Sequence, residues 1–219
     1  MTWKERLRGQ VISVRNAAAE MAAAATADKD RFLHILAETV RAERAAIIAA
    51  NKRDLEDAEM RGLSPAFLDR LRLTPERIEK MAGAVETVAA LPDPVGTVIR
   101  ETVRPNGLII RRVRVPIGVI AIIYESRPDV TIEAGILCIK SGNSVVLKGG
   151  RDAIRSNEVL ARLMRQSLTN AGLPPDAVSL VTAGGRHAVR TMLSYSDLID
   201  LVIPRGGESL IRTVVEHSR

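Results

Sequence analysis

Five consecutive apolar residues at positions 119–123 are the feature that most restricts the fold of this chain. A run this short and apolar is typical of a β-strand buried on both faces, as in a parallel sheet. Three further strand-like segments follow, at residues 144–147, 178–181 and 198–203, and helical segments separate them. Alternating strands and helices predict an α/β fold, a parallel Rossmann-like sheet with right-handed crossovers.

The residues before this sheet are predicted to be helical. Apolar residues recur at helical spacing, and one helix is expected to begin near Thr26 and to continue past Ile48. Ser-Pro and Thr-Pro pairs at residues 64–65 and 74–75 each predict a new helix, because proline is favoured in the first turn. The helical part is expected to end at Pro92-Asp93-Pro94.

Asn106-Gly107 lies between two segments rich in β-branched residues, which predicts a hairpin. The second segment carries Arg111, Arg112 and Arg114 and is too charged for a central strand, so we interpret the hairpin as an arm. Such an arm could pair with another subunit, or it could be a solvated edge. The expected divisions are a helical part (1–96), a hairpin arm (97–115) and a sheet region (116–219).

Composition restricts the function further. The chain carries 32 Lys+Arg against 26 Asp+Glu, a net charge of +6, and only 2% aromatic residues. Positive charge is spread along the chain and base-stacking residues are scarce, which disfavours a nucleic-acid surface. A basic ligand pocket is the alternative explanation for the charge.

The single cysteine, Cys138, lies in an apolar helical stretch, so we expect a buried and inert thiol. His34, His187 and His217 are far apart and have no cysteine nearby, so a metal site has little support. No segment approaches the length of a membrane span, and the first residues lack a signal-peptide core. We therefore expect a soluble, cytoplasmic protein.

Parallel sheets bind ligands at the carboxyl ends of their strands, where this sequence places three notable loops. Residues 124–129 lack the usual dinucleotide fingerprint, so this is either no nucleotide binder or one that holds a dinucleotide differently. Residues 148–151, Lys-Gly-Gly-Arg, combine glycines with cations and suit a phosphate, although a glycine turn with surface cations is an equal alternative. Residues 204–207, Pro-Arg-Gly-Gly, open a helix and form a plausible anion site.

These loops resemble those of a known family. The segments Tyr-Glu-Ser-Arg-Pro at 124–128, Ser-Gly-Asn-Ser-Val-Val-Leu-Lys-Gly-Gly at 141–150 and Ile-Pro-Arg-Gly-Gly at 203–207 closely resemble the gamma-glutamyl phosphate reductases of the aldehyde dehydrogenase superfamily. The resemblance runs across essentially the whole chain. It implies a fold of the aldehyde dehydrogenase type, with NADPH as cofactor and L-glutamyl 5-phosphate as substrate.

The resemblance also implies a reaction: a cysteine attacks the acyl phosphate, and hydride from NADPH reduces the thioester to L-glutamate 5-semialdehyde, a step of proline biosynthesis. That cysteine is expected downstream of Pro-Arg-Gly-Gly, in a catalytic domain that this chain lacks, so no catalytic residue is assigned except Ser126 as an oxyanion donor. We therefore expect a cofactor-binding half that is inactive alone, from an enzyme that forms homo-oligomers without nucleic-acid or membrane partners. The alternative is a stand-alone basic module that binds nucleic acid or another anion. By position, the resemblance assigns cofactor contacts to Tyr124, Glu125, Ser126, Lys148, Gly149, Gly150, Arg151, Arg205, Gly206 and Gly207.

Overall fold

A computed structural model describes residues 2–218, apart from the side chain at position 186. Its central element is a parallel sheet of four strands in the order β5-β4-β3-β6. The strands of this sheet are β3 (Val119–Tyr124), β4 (Ser144–Lys148), β5 (Val178–Leu180) and β6 (Leu201–Arg205). A separate antiparallel hairpin consists of β1 (Val98–Val103) and β2 (Ile109–Val113).

Helices cover both faces of the sheet. They are α1 (Trp3–Ala23), α2 (Thr26–Ala42), α3 (Arg44–Met60), α4 (Pro65–Leu71), α5 (Pro75–Ala89), α6 (Asp129–Lys140), α7 (Ile154–Asn170), α8 (Gly185–Leu193) and α9 (Glu208–His217). Short 3₁₀ turns at Arg151–Ala153 and Pro175–Ala177 complete the connections.

The first four residues of β3 alternate between two apolar cores. Ile120 and Ile122 pack into a core shared with α2, α5, α6 and α7, whereas Val119 and Ala121 pack into one shared with α1 and α8. All six residues of β3 are buried, as the apolar run predicts. The expected α/β class and parallel sheet are confirmed, and helices of the first 96 residues share a core with the sheet. The domain division at residue 96 stays a prediction.

Two elements differ from the sequence predictions by more than one residue. The single helix expected from Thr26 past Ile48 is two helices, because α2 ends at Ala42, the backbone turns at Glu43 (φ −88°, ψ 13°) and α3 begins at Arg44. The fourth strand occupies Leu201–Arg205 rather than 198–203. It includes Pro204, which β6 tolerates because its other edge pairs with no strand among the described residues.

The hairpin forms as Asn106-Gly107 predicts. Gly107 has a φ of +82°, which glycine adopts without strain, and the strands pair from Val98–Val113 to Val103–Ile109. Large apolar side chains such as Ile109 and Ile110 remain about half exposed on it.

The other free edge of the sheet is capped by a side chain. The Arg165 guanidinium donates to the carbonyl oxygens of Val178 and Pro175 at 2.8 and 2.9 Å and pairs with Asp176 at 2.8 Å. A polar cavity of about 630 Å³ lies beside this cap, between α1, α7 and β5, and none of the predicted cofactor residues lines it. Helices long and apolar enough to cross a membrane are absent from the described part of the chain.

Candidate functional site

The strand order places a crevice between β3 and β6. From β3 the chain proceeds to β4 and β5 on one side, and it returns on the other side as β6. Connections that leave in opposite directions open a gap at the carboxyl ends of the two strands, which is where parallel sheets bind ligands. The loops that follow Tyr124 and Arg205 border this gap, and the loop that follows Lys148 lies beside them.

Glu125 and Gly207 close the gap between β3 and β6. The Glu125 carboxylate accepts a hydrogen bond from the Gly207 amide at 2.7 Å, at the start of α9. A Cβ at Gly206 would lie 2.8 Å from the Glu125 Cγ, so a side chain at this position would have to displace Glu125. A carboxylate therefore occupies a helix start whose free amides suit an anion.

The loop after β4 packs directly against the loop after β3. A Cβ at Gly149 would lie 2.9 Å from the Tyr124 ring, and one at Gly150 would lie 2.8 Å from the Ser126 nitrogen and closer still to its hydroxyl. Both glycines are thus required by close packing, although neither has a positive φ. The two loops form one continuous surface.

Tyr124 supports this surface from below. Its hydroxyl lies 2.7 Å from Thr131 Oγ1, which donates to Asn157 Oδ1 at 2.9 Å, and all three side chains are buried. Burial raises the pKa of the Tyr124 phenol above its ordinary value, although the hydrogen bond with Thr131 opposes this. Tyr124 therefore acts as a neutral packing residue beneath Gly149.

Lys148 is a buried ammonium without a carboxylate partner among the described residues. It is 7% exposed, and the hydrogen bond that its Nζ donates is to the carbonyl oxygen of Gly149, at 3.0 Å. Loss of water around the charge lowers the pKa of Lys148 below its ordinary value. An anion or a pair of hydroxyls placed at the ammonium would satisfy its remaining N–H groups.

Asp152 links the loop after β4 to three other side chains. One of its oxygens accepts from the Ser126 hydroxyl at 3.0 Å. The other lies 2.9 Å from Arg61 Nη1 and 3.6 Å from Arg151 Nε. The hydroxyl proton of Ser126 is therefore directed at Asp152, and an oxyanion role for Ser126 would require this hydrogen bond to open.

Two further residues singled out from the sequence have defined partners. The Arg205 guanidinium pairs with Glu133 of α6 at 2.6 Å, across the same crevice edge. Cys138 is buried in α6, as expected, and burial raises the pKa of its thiol to about 12. A thiol in this state is not a nucleophile at neutral pH.

Comparisons with known proteins identify the family of this chain. Residues 4–219 match the aldehyde dehydrogenase family. The chain belongs to the aldehyde dehydrogenase family. It is 50% identical over 205 residues to a gamma-glutamyl phosphate reductase of Xylella fastidiosa, which covers 94% of this chain and 49% of that protein. It is 49% identical to a protein of the same name from Sorangium cellulosum, covering 97% of this chain and 51% of that protein.

Solved structures of aldehyde dehydrogenase family members show the same fold. A gamma-glutamyl phosphate reductase from Thermotoga maritima superposes with a TM-score of 0.94 at 42% identity, covering 97% of this chain and 51% of that one. An NAD-dependent benzaldehyde dehydrogenase from Corynebacterium glutamicum, at 20% identity and a TM-score of 0.75, shares the fold alone. The resemblance inferred from the loop motifs is thus confirmed, and the chain spans about half the length of the curated relatives it matches.

Within this aldehyde dehydrogenase fold, the residues singled out from the sequence fall into two groups. Those at 124–126, 206 and 207 line the crevice between β3 and β6, and those at 148–151 form the neighbouring loop. Sequence reasoning missed Arg61, Asp152 and Asn157. Arg61 offered no local signal, because it lies at the end of α3 and meets the loop only through the tertiary fold.

Proposed function

We propose that this chain forms the NADPH-binding part of a reductase that converts L-glutamyl 5-phosphate to L-glutamate 5-semialdehyde and phosphate. Similarity to gamma-glutamyl phosphate reductases supports the substrate and the place in proline biosynthesis. The observation that carries the cofactor assignment is Lys148, a buried cation without a carboxylate partner beside a glycine loop. Family membership supports a nicotinamide cofactor.

The residues present fit a phosphorylated dinucleotide. The packing of Gly149 and Gly150 on the preceding loop leaves a side-chain-free backbone that a ribose can approach closely. The Lys148 ammonium would donate to the adenosine ribose, and the absence of an acid between Lys148 and Asp152 favours a 2′-phosphate over a free 2′-hydroxyl. Gly206 and Gly207, at the start of α9, would receive the pyrophosphate.

Glu125 must adjust when the pyrophosphate binds. Its carboxylate holds the Gly207 amide, so the anion would displace it or share the helix start with it. Tyr124 would stay in place, because its hydroxyl is fixed in the buried network with Thr131. The crevice would thus open by a side-chain movement of Glu125 on a fixed backbone.

The reaction itself needs groups beyond this site. When bound, NADPH would supply the hydride that adds to the acyl carbon, from which the thiolate of the thioester leaves to give the aldehyde. The thiol that the resemblance assigns to nucleophilic attack is not Cys138, which is buried in α6. We therefore expect cofactor binding without turnover from these 219 residues, in a cytoplasmic enzyme whose hairpin arm contributes to a homo-oligomer.

Isothermal titration calorimetry of the chain with NADPH and with NADH tests the proposal. We expect saturable binding that is tighter for NADPH. Lys148→Met should reduce NADPH affinity by about tenfold or more, since it removes charge-assisted hydrogen bonds. Lys52→Met is the matched control, because Lys52 is exposed on α3 and should leave binding unchanged.

Absence of heat on titrating NADPH into folded protein would refute the cofactor assignment. A second titration with duplex DNA at two salt concentrations distinguishes the alternative of a basic nucleic-acid module, for which affinity would fall steeply with salt. A reductase assay completes the test, and turnover above a protein-free control would contradict the expected inactivity.

A further inference from the structure

Arg61 brings a cation from the helical part of the chain to the loop after β4. It is the C-terminal cap residue of α3, and its Nε donates to the Asp57 carbonyl oxygen at 3.0 Å. Its Nη1 lies 2.9 Å from Asp152 Oδ1. The guanidinium is therefore held by α3 at one end and by the loop at the other.

Arg151 approaches the same carboxylate oxygen from the loop itself. Its Nε lies 3.6 Å from Asp152 Oδ1, and Arg61 Nη1 lies 2.9 Å from the same oxygen. The two nitrogens are therefore separated by at most the sum of these two distances. A phosphate group can bridge two cations at this separation through different oxygens. Arg151 is 82% exposed and Arg61 is 38% exposed at the side chain, so both can turn toward a ligand without disturbing the core.

The local charge is unbalanced in favour of cations. Arg61 and Arg151 both pair with Asp152, which also accepts from Ser126, and Lys148 has no carboxylate partner among the described residues. A single carboxylate cannot neutralise three cations, whereas an added dianion would. Arginine has five N–H donors, so Arg61 can keep one hydrogen bond with Asp152 and offer others to a phosphate.

We propose that Arg61 and Arg151 form a clamp for the 2′-phosphate of NADPH, which makes Arg61 a specificity-determining residue contributed by α3. This inference rests on the proposed function, because it assumes that the adenosine ribose binds at the loop after β4. The position fits, since the end of the second strand of a βαβ unit is where the ribose 2′ substituent is recognised. Arg61 would distinguish NADPH from NADH and would add nothing to the binding of NADH.

Calorimetric titration of Arg61→Gln with NADPH, NADH, 2′,5′-ADP and 5′-AMP tests the clamp. We expect an affinity for NADPH and 2′,5′-ADP about tenfold weaker than that of the unmodified chain, as for loss of one charge-assisted hydrogen bond. Affinity for NADH and 5′-AMP should stay within about twofold, the range expected where no contact is lost. Arg53→Gln removes the same charge from an exposed position of α3 and is the matched control.

The outcomes separate the clamp from the wider proposal. Unchanged NADPH affinity in Arg61→Gln overturns the clamp, and so does an equal loss for NADPH and NADH, which would mean that Arg61 only holds Asp152 in place. Failure of the unmodified chain to bind either dinucleotide overturns the proposed function together with the clamp. If thermal unfolding shows that Arg61→Gln is not folded, Arg151→Gln replaces it, because Arg151 is exposed. This variant should show the same selective loss of affinity for NADPH and 2′,5′-ADP, and an unchanged affinity would overturn the clamp.

Discussion

Replacing Gly150 with alanine tests whether the loops after β3 and β4 are as tightly packed as the structure indicates. An added Cβ would lie 2.8 Å from the backbone nitrogen of Ser126 and 3.2 Å from the carbonyl carbon of Glu125. The Ser126 hydroxyl can rotate away, but the backbone cannot, so the two loops must separate. Overpacking of this kind costs about 1–3 kcal/mol of unfolding free energy.

This cost predicts a measurable change in thermal stability. For a chain of this size, 1 kcal/mol corresponds to a change in Tm of about 2–4 °C, so Gly150→Ala should lower Tm by several degrees. NADPH affinity should fall as well, because the glycine loop and the crevice move apart. Differential scanning calorimetry gives Tm, and titration of the same sample gives the affinity.

Gly83→Ala is the control for this experiment. Gly83 lies inside α5, and a Cβ there would meet no atom within 4 Å. Alanine should therefore stabilise the helix by about 0.5–1 kcal/mol, opposite in sign to the change at Gly150. An unchanged or raised Tm in Gly150→Ala would refute the tight packing and with it the continuity of the two loops.

Three further predictions follow from buried and charged groups. Burial raises the pKa of the Cys138 thiol to about 12, so this thiol should resist thiol reagents in the folded protein and react only at the rate of unfolding. The rate of labelling by such a reagent tests this, and prompt labelling would contradict the burial of Cys138. Partial burial opposes ionisation of Asp93, but hydrogen bonds, chiefly from Lys29, outweigh this effect and lower the pKa of Asp93. Asp93 therefore stabilises the fold above its unfolded-state pKa of about 3.9, and this stabilisation is lost as the pH falls through the lower pKa of the folded state. Asp93 lies 2.6 Å from the buried Lys29 ammonium, and Asp93→Asn removes the charge that pairs with it. The variant should therefore lower the free energy of unfolding by about 3–5 kcal/mol at pH 7 and by less at acid pH. Denaturation at several pH values measures this cost, and a cost that does not change with pH would refute this account. Glu125→Gln should keep the hydrogen bond with Gly207 and raise NADPH affinity about threefold, because it removes a negative charge next to the proposed position of the pyrophosphate. Weaker binding, measured by calorimetric titration, would show that the carboxylate accepts a hydrogen bond from a ligand hydroxyl instead.

Sequence reasoning succeeded where one local pattern determines the structure. The five apolar residues from Val119 to Ile123 predict a strand buried on both faces, and Asn106-Gly107 predicts a hairpin turn. The structure shows both. The break at Glu43 could not be foreseen, since no glycine or proline marks it in the sequence. The start of β6 was also misplaced, because its apolar residues continue those of the preceding turn.

The loops that border the candidate site could be predicted from the sequence, but the contacts between their side chains could not. Glycines next to cations indicated an anion site, and the structure brings the two loops together. Which cation meets which carboxylate depends on contacts between distant segments, as in the pairs Arg61–Asp152 and Arg205–Glu133. Such pairs leave no periodic trace in a sequence, since each partner also looks like an ordinary surface charge.

The position of β6 has a consequence for how the proposed dinucleotide site forms during folding. Leu201 pairs with Ile120 and Arg205 with Tyr124, although the intervening chain forms two strands and three helices elsewhere. A long loop must therefore be closed before the two sides of the crevice exist, and such distant pairings are slow to form. Dinucleotide capture would thus be among the last abilities to appear during refolding, and a fluorescent cofactor could time that event.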